Sequence, residues 1–520
     1  MSFKGTLYPF QLEAVERMTA QEKLLVAYEM GLGKSPISIA AVEQLIDEGK
    51  ISAGFVICPN SLKYQWRRMI DQFTGEEANV IVVNGPPQKR LEQYADYQAG
   101  EAEYLILNYN QLVDDWEIIR KLPRDYIIAD ECAAIKNFKP RRSKRLKRLH
   151  ATYQWGLTGQ PIENRAEEVF SIMQWINPDV LGDFTTFDRA FVSRNHWGAV
   201  RSYKNLPTLH RLLSDHMVRR TREEVRDQLP AVMEESILVD FDPEGARLYR
   251  RMTQHLLRDL EEAIGTFGPT FSLFGFYSGD DSFHEVQGRI MSKLLCMRML
   301  CDHPDLLRIS AAHFRNTESR TRSGSVYADE LDSSGALDRL KATPKLDASL
   351  ELLGEILSAN PKNKVVLFSY FKDMLRILQR VTAGMTNSVQ FTGDMSAEER
   401  DKAKQIFTLD PKTRLMLLSD AGGVGLDLPI ANYLISYDLP WSGGAWQQRK
   451  SRIIRLSSTF PEVVVISMLI SDSVEERQFQ MLEQKQKIAD AVIDSRGING
   501  KGRLNLDLVS LGTFLRESMV

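Results

Sequence analysis

The segment Ala27 to Ile39, AYEMGLGKSPISI, follows an apolar run and opens an amphipathic stretch, so it reads as a strand, a glycine-rich turn and a helix start. Such a turn can hold nucleotide phosphates. Gly31 and Gly33 let backbone N–H groups face a β-phosphate, Lys34 brings a point charge to the β and γ oxygens, and the Ser35 hydroxyl can bind magnesium. Met30 and Leu32 complete the loop. The strict G-x-x-x-x-G-K-S/T pattern begins with glycine where this chain has Tyr28, so the loop alone leaves a phosphate cradle and a chance match both open.

About a hundred residues on, DYIIADECAAIKN places Asp130 and Glu131 at the end of an apolar strand. There Asp130 can hold magnesium through its water shell, and Glu131 can orient and deprotonate the water that attacks a γ-phosphate. A solvated acidic pair opening a helix is the plainer alternative, because acidic residues favour helix N-termini. The phosphate loop upstream favours the chemical reading.

Short apolar runs must position these residues. From Leu24 to Leu157 the runs LLVAY, GFVICP, VIVVN, YLILN, YIIAD and WGLTG alternate with helical stretches, the pattern of a buried parallel sheet wrapped by helices. A second series, KVVLFSY, SVQFTG, RLMLLSD, NYLISYD and VVVISML, follows residue 345. The fold class is therefore α/β with two parallel-sheet lobes: residues 1–230, a helical insertion and linker over 231–345, a second lobe over 346–490 and a tail over 491–520. Within the insertion, GTFGPTFSLFGFYSGDDSF reads as a buried loop or a docking insertion, and RNTESRTRSGSVYADELDSSG as a mobile linker.

At 520 residues the chain is too long for one core, and 43% hydrophobic with 26% charged residues fits ordinary globular folding. No apolar run approaches the roughly 18 residues of a membrane helix, and the N-terminus lacks a signal-peptide pattern, so the expectation is a soluble intracellular protein. Cys58, Cys132, Cys296 and Cys301 have neither disulfide nor zinc spacing and read as small buried hydrophobes. A net charge of −3 argues against a protein that coats nucleic acid non-specifically. One local exception is KPRRSKRLKR, Lys139 to Arg148, which is either a solvated face or a phosphate-facing surface.

Taken together and in order, these segments resemble the Swi/Snf-type DNA-dependent ATPases of helicase superfamily 2. LYPFQLEAVERM is similar to the family's adenine-recognition segment, which gives Gln11 the base edge. ICPNSLKYQWRRMI resembles motif Ia, whose turn at Pro59 and Asn60 would lie on the DNA backbone. LTGQPIENRAEEVFSI resembles motif III, in which Thr158 and Gln160 would link the γ-phosphate site to the interlobe cleft. HMVRRTREEVRDQLP, with Arg219 and Arg220, and MLCDHP, Cys301 to Pro304, resemble two signatures of this family. LSDAGGVGLDLP resembles motif V and AWQQRKSRIIRL motif VI, with Gln448, Arg452 and Arg455 at the family spacing. The resemblance implies two RecA-like lobes, ATP and Mg2+ as cofactors, and Arg455 as an arginine finger beside Arg452. It also implies a monomer translocating on double-stranded DNA, gripped by Pro59, Asn60, Ser369 and Gly423, with DNA-bound proteins as candidate substrates. A strand-separating DNA or RNA helicase and a non-hydrolysing DNA-binding scaffold are the alternatives.

Three departures qualify the resemblance. Motif II reads DECA where the family usually has DEAH or DEAQ, so Ala133 offers no polar link to motif III. Asp420 stands where many members carry a lysine or arginine, which argues against a phosphate contact there. Motif VI ends in LSS, which leaves both arginines intact.

Overall fold

Two all-parallel sheets, their central strands buried on both faces, organise the chain. The computed structural model describes residues 3–138, 140–162, 165–194, 200–267, 281–316, 324–420 and 426–493. The strands, in chain order, are β1 (Lys23–Tyr28), β2 (Gly54–Cys58), β3 (Val80–Val82), β4 (Tyr104–Asn108), β5 (Tyr126–Asp130), β6 (Tyr153–Leu157), β7 (Val192–Arg194), β8 (Val200–Tyr203), β9 (Met217–Arg220), β10 (Ala231–Val239), β11 (Val365–Phe368), β12 (Asn387–Phe391), β13 (Thr413–Leu418), β14 (Tyr433–Ser436) and β15 (Glu462–Ile470). The first sheet runs β3-β4-β2-β5-β6-β1-β9 and the second β10-β15-β14-β11-β13-β12.

Continuous apolar strands follow from this burial. In β1, Leu25 and Ala27 join the core on one face of the first sheet, while Leu24 and Val26 join the core on the other. β11 divides in the same way, Val365 and Leu367 against Val366 and Phe368. A strand covered on both faces loses the polar alternation of a half-exposed one. In such sheets the loops leaving the carboxyl ends of the strands gather at one edge, where ligands bind. At that edge Lys34 opens the helix that follows the loop after β1, Asp130 ends β5, and Thr158 follows β6.

The region between the lobes differs from the sequence expectation in two places. Residues 231–239, assigned to the helical insertion, form β10 and pair along their whole length with β15. Its residues are largely exposed at the sheet edge, so no apolar alternation marks them. The expected mobile linker contains the helix Val326–Ser333, which buries Tyr327, Ala328 and Leu331. Arg315 reaches Asp329 and Asp332 of that helix at 2.5 and 2.7 Å. Residues 317–323, most of the aromatic segment (268–280), and the tail from 494 lie outside the described residues.

The helices Pro243–Phe267, Asp281–Asp302, Pro304–Asn316 and Val326–Ser333 enclose a core of their own, with Met252, Leu256, Met297 and Leu300 at its centre. Ile470 and Val474, at the end of β15 and just after it, complete that core and fix the helical unit to the second lobe.

Candidate nucleotide site between the two lobes

The phosphate loop begins where β1 ends. Gly31 and Gly33 have φ of +91° and +82°, the left-handed region that favours glycine. A β-carbon on Gly31 would also lie 2.7 Å from the Ile454 carbonyl oxygen, which belongs to the second lobe. Glycine is thus required twice at this position, once for the turn and once for the approach of the other lobe.

A cavity of about 500 Å³ opens there, lined by Gln11, Met30, Gly31, Gly33, Lys34, Ser35, Trp66, Asp130 and Glu131 from the first lobe and by Asp427, Gln448, Ser451, Arg452 and Arg455 from the second. That volume is in the range of small-ligand sites. Lys34 Nζ donates to the carbonyl oxygens of Tyr28 and Glu29 at 2.8 and 3.3 Å. Gln11 Nε2 donates to Leu32 O at 3.0 Å, and its Oε1 accepts from Tyr8 N at 2.9 Å. Asp130 is buried, and its two oxygens accept from Trp66 Nε1 (2.8 Å) and from Glu131 N (2.9 Å). Glu131 itself has φ +49°, an uncommon backbone for a non-glycine residue and of a kind that collects at functional sites.

Electrostatics follow from this enclosure. Burial pushes the Lys34 ammonium down to about 8, against the pull of Glu131 and Asp130. Burial likewise pushes Asp130 up and lowers Arg452 to about 10, the latter helped by Arg455. Arg455 pairs with Asp427, and its Nε is buried without a hydrogen-bond partner. Phosphates entering the cavity would raise Lys34 again, so binding favours the protonated form. ATP affinity should therefore be full below pH ~8 and weaken as pH rises through that value, by up to about tenfold per unit. Fluorescent-nucleotide titrations across that pH range check this, and a flat profile would remove Lys34 from the phosphate site.

Not every predicted residue reaches the cavity. The Leu32 side chain is fully buried in the core, leaving only its backbone at the loop. Thr158 and Gln160 are buried and are not among the residues that line the cavity. Thr158 Oγ1 accepts from Gln160 N at 3.2 Å, and a β-carbon on Gly443 of the second lobe would lie 3.7 Å from Gln160 Nε2. Gln160 Oε1 is buried without a partner. Ser369, expected on DNA, is fully buried and turned inward. Its hydroxyl donates to Asp438 Oδ2 at 2.5 Å and its amide to Leu418 O at 3.0 Å, which leaves neither donor for a phosphate. Gly423 lies outside the described residues. Pro59 and Asn60 form the turn after β2, with Asn60 exposed and accepting from Asn108 Nδ2 at 2.9 Å. Of the basic run, Arg141, Arg142, Lys144 and Arg148 are exposed, while Lys147 donates to Ser171 Oγ at 2.8 Å.

Other residues brought to the site had no role assigned from sequence. Arg219 donates through Nη1 to Ala27 O (2.7 Å) and Gly159 O (3.3 Å), and through Nη2 to Glu29 (3.1 Å). Arg222 donates through Nε and Nη2 to Met30 O at 3.1 and 2.9 Å. Arg219 and Arg222 of that signature segment thus staple the phosphate loop, Arg219 also the motif III loop, while Arg220 pairs with Glu13. Asp420 finds its partner in Arg449, at 2.6 and 2.8 Å, which gives this acid an internal role in place of a phosphate contact.

The residues present fit a magnesium–triphosphate pair. No cluster of three or more acidic, His or Cys ligands exists among the described residues, so a metal here depends on one carboxylate, a hydroxyl and substrate oxygens. Magnesium is commonly held that way, through one or two carboxylates plus phosphates. Asp130 and Ser35 line the same cavity and supply those groups.

A second interlobe cleft of about 1280 Å³ is walled by Asn60, Lys63, Arg67 and Arg68 on one side and by Arg400, Asp401 and Lys404 on the other. Arg68 and Asp401 approach to 3.5 Å across it.

Among the described residues no helix is long and apolar enough to cross a membrane. Comparison with known proteins gives matches along most of the chain. YwqA of Bacillus subtilis (strain 168), whose name carries the words ATP-dependent helicase/translocase, is 27% identical over 503 residues, covering 95% of this chain and 49% of that protein. The human DNA repair and recombination protein RAD54B is 25% identical over 519 residues, covering 94% of this chain and 54% of that protein. The chain spans about half the length of these curated relatives. Among solved structures, the Sulfolobus solfataricus SWI2/SNF2 ATPase core in complex with dsDNA matches at TM-score 0.42 and 24% identity, covering 95% of this chain and 94% of that one. The Helicase conserved C-terminal domain model matches residues 345–457. The SNF2-related domain model matches residues 10–306, more than half of the sequence, and the chain belongs to that family.

Proposed function

We propose that this chain is an ATP-dependent motor that hydrolyses ATP to ADP and phosphate between its lobes, moves along double-stranded DNA without separating the strands, and remodels protein–DNA complexes. The contact of Gly31 with the backbone of Ile454 carries the reading, because it puts the phosphate loop and the arginine segment on one cavity. Lys34 would neutralise the β and γ oxygens, Glu131 would orient and deprotonate the attacking water, and Arg455 would meet charge developing on the γ-phosphate. Ser35 and Asp130 would hold Mg2+, which supplies charge neutralisation at the phosphates. Gln11 and Gln448 line the same cavity and are suited to the remaining polar groups of the nucleotide.

Binding energy spread over both lobes favours their closure, and loss of the γ-phosphate relaxes it. The second cleft supports a role on DNA. It joins the turn at Asn60 to the basic side chains of both lobes, so alternate tightening on the two sides would advance the chain along phosphates. Phosphate contacts carry little sequence preference and weaken steeply with salt. The names of the relatives, which speak of translocation and of DNA repair and recombination, agree with this reading.

ATP turnover at low salt should rise several-fold or more when duplex DNA is added and fall back as salt is raised. A tailed duplex should remain paired in a strand-displacement assay. Equal turnover with and without duplex would remove DNA from the reading, and released strand would turn it into a helicase.

A further inference from the structure

The carboxylate of Asp130 is aimed by a side chain to which no role in nucleotide binding is assigned above. Trp66 lies on the helix Lys63–Thr74, is 1% exposed, and donates its indole N–H to Asp130 Oδ2 at 2.8 Å. The other oxygen accepts from the Glu131 amide at 2.9 Å. Each oxygen therefore has a fixed donor on one side and acceptor capacity to spare. An indole can only donate, so this bond has one polarity and holds the carboxylate as an acceptor. Phenylalanine would serve the apolar packing around position 66 and leave that orientation unset. Tyr109 gives a useful contrast, because its hydroxyl donates to the backbone carbonyl of the same Asp130 at 2.8 Å and leaves the carboxylate alone.

Resting on the ATP–magnesium reading above, we propose that Trp66 is a positioning residue that sets the orientation of the Asp130 carboxylate toward Mg2+. Groups that orient a metal ligand typically change metal affinity by about 10–100-fold when removed.

The test measures metal-dependent nucleotide binding, with no turnover required. A fluorescent ATP analogue is titrated with Mg2+ in EDTA-buffered solution against wild-type protein and Trp66→Phe. The half-effect Mg2+ concentration, read against each protein's own metal-free nucleotide affinity, should rise about tenfold or more. Benzothienylalanine at position 66, which replaces the N–H by sulfur at the same shape, should give the same shift and guards against misfolding of Trp66→Phe. Tyr109→Phe should give none. An unmoved half-effect concentration in both position-66 variants, or an equal shift in Tyr109→Phe, overturns the proposal. Absence of Mg2+-dependent binding in the wild-type protein would instead overturn the ATP site itself.

Discussion

Arg455→Ala should lower ATP turnover by about 10³-fold or more while leaving ATP affinity within a few-fold, the mark of an interaction made chiefly in the transition state. Arg455 stands across the cavity from Lys34, in contact range of Gly31, with its Nε buried and unpartnered and its guanidinium paired to Asp427. A half-buried planar cation whose Nε lacks a partner is poised to take on negative charge, and the pair with Asp427 holds it until that charge develops. Arg455→Lys should rescue little, because an ammonium lacks the fork that can serve Asp427 and a phosphoryl oxygen together. Lys34→Ala separates the two roles, since it should weaken nucleotide binding as well as turnover. Single-turnover hydrolysis beside nucleotide titration reads both quantities. Arg455→Ala within tenfold of wild-type turnover would remove the second lobe from the chemistry.

What the sequence made legible, and what it hid, divides along physical lines. Strands buried on both faces announce themselves as apolar runs, and each such run became a strand of the two sheets. β9 did not, because only Met217 and Val218 are apolar before Arg219, which turns toward the phosphate loop, and Arg220, which pairs with Glu13. β10 did not, because an edge strand with little burial needs no periodicity. Residues of the site were legible where one loop carries the chemistry, as with Gly31, Gly33 and Lys34. They were hidden where the partner lies far along the chain. Ser369 follows β11 in a position that suits a ligand contact, and only the fold brings Asp438 to it. Arg449 sits between Gln448 and Arg452 in sequence, yet its side chain is buried against Asp420 and Asp438 while theirs line the cavity. The acid at position 420 was the available signal, and its meaning was an ion pair with a buried arginine.

The largest stability effect should come from Lys345→Ala, which should destabilise the second lobe and its helical unit by about 3–5 kcal/mol. Lys345 is fully buried, with Nζ 2.8 Å from Asp302 and 2.7 Å from Glu475, both equally buried. Three segments meet there: the end of Asp281–Asp302, the first turn of Pro344–Ala359 and the start of Val474–Ile493. Burial opposes the charge on Lys345, but Asp302 and Glu475 outweigh it and hold the ammonium above its ordinary range. Burial pushes Asp302 up, and its Oδ2 has no partner, so the surplus negative charge of two carboxylates on one ammonium can be relieved by a proton there. Removing the lysine strands two carboxylates in the core, and that uncompensated charge is the main cost. Lys345→Met combined with Asp302→Asn and Glu475→Gln should recover most of the loss, because the same volume is then filled without net charge. Thermal or urea unfolding of the single and triple variants tests the account. A triple variant no more stable than Lys345→Ala would assign the loss to packing at the junction, with charge playing little part.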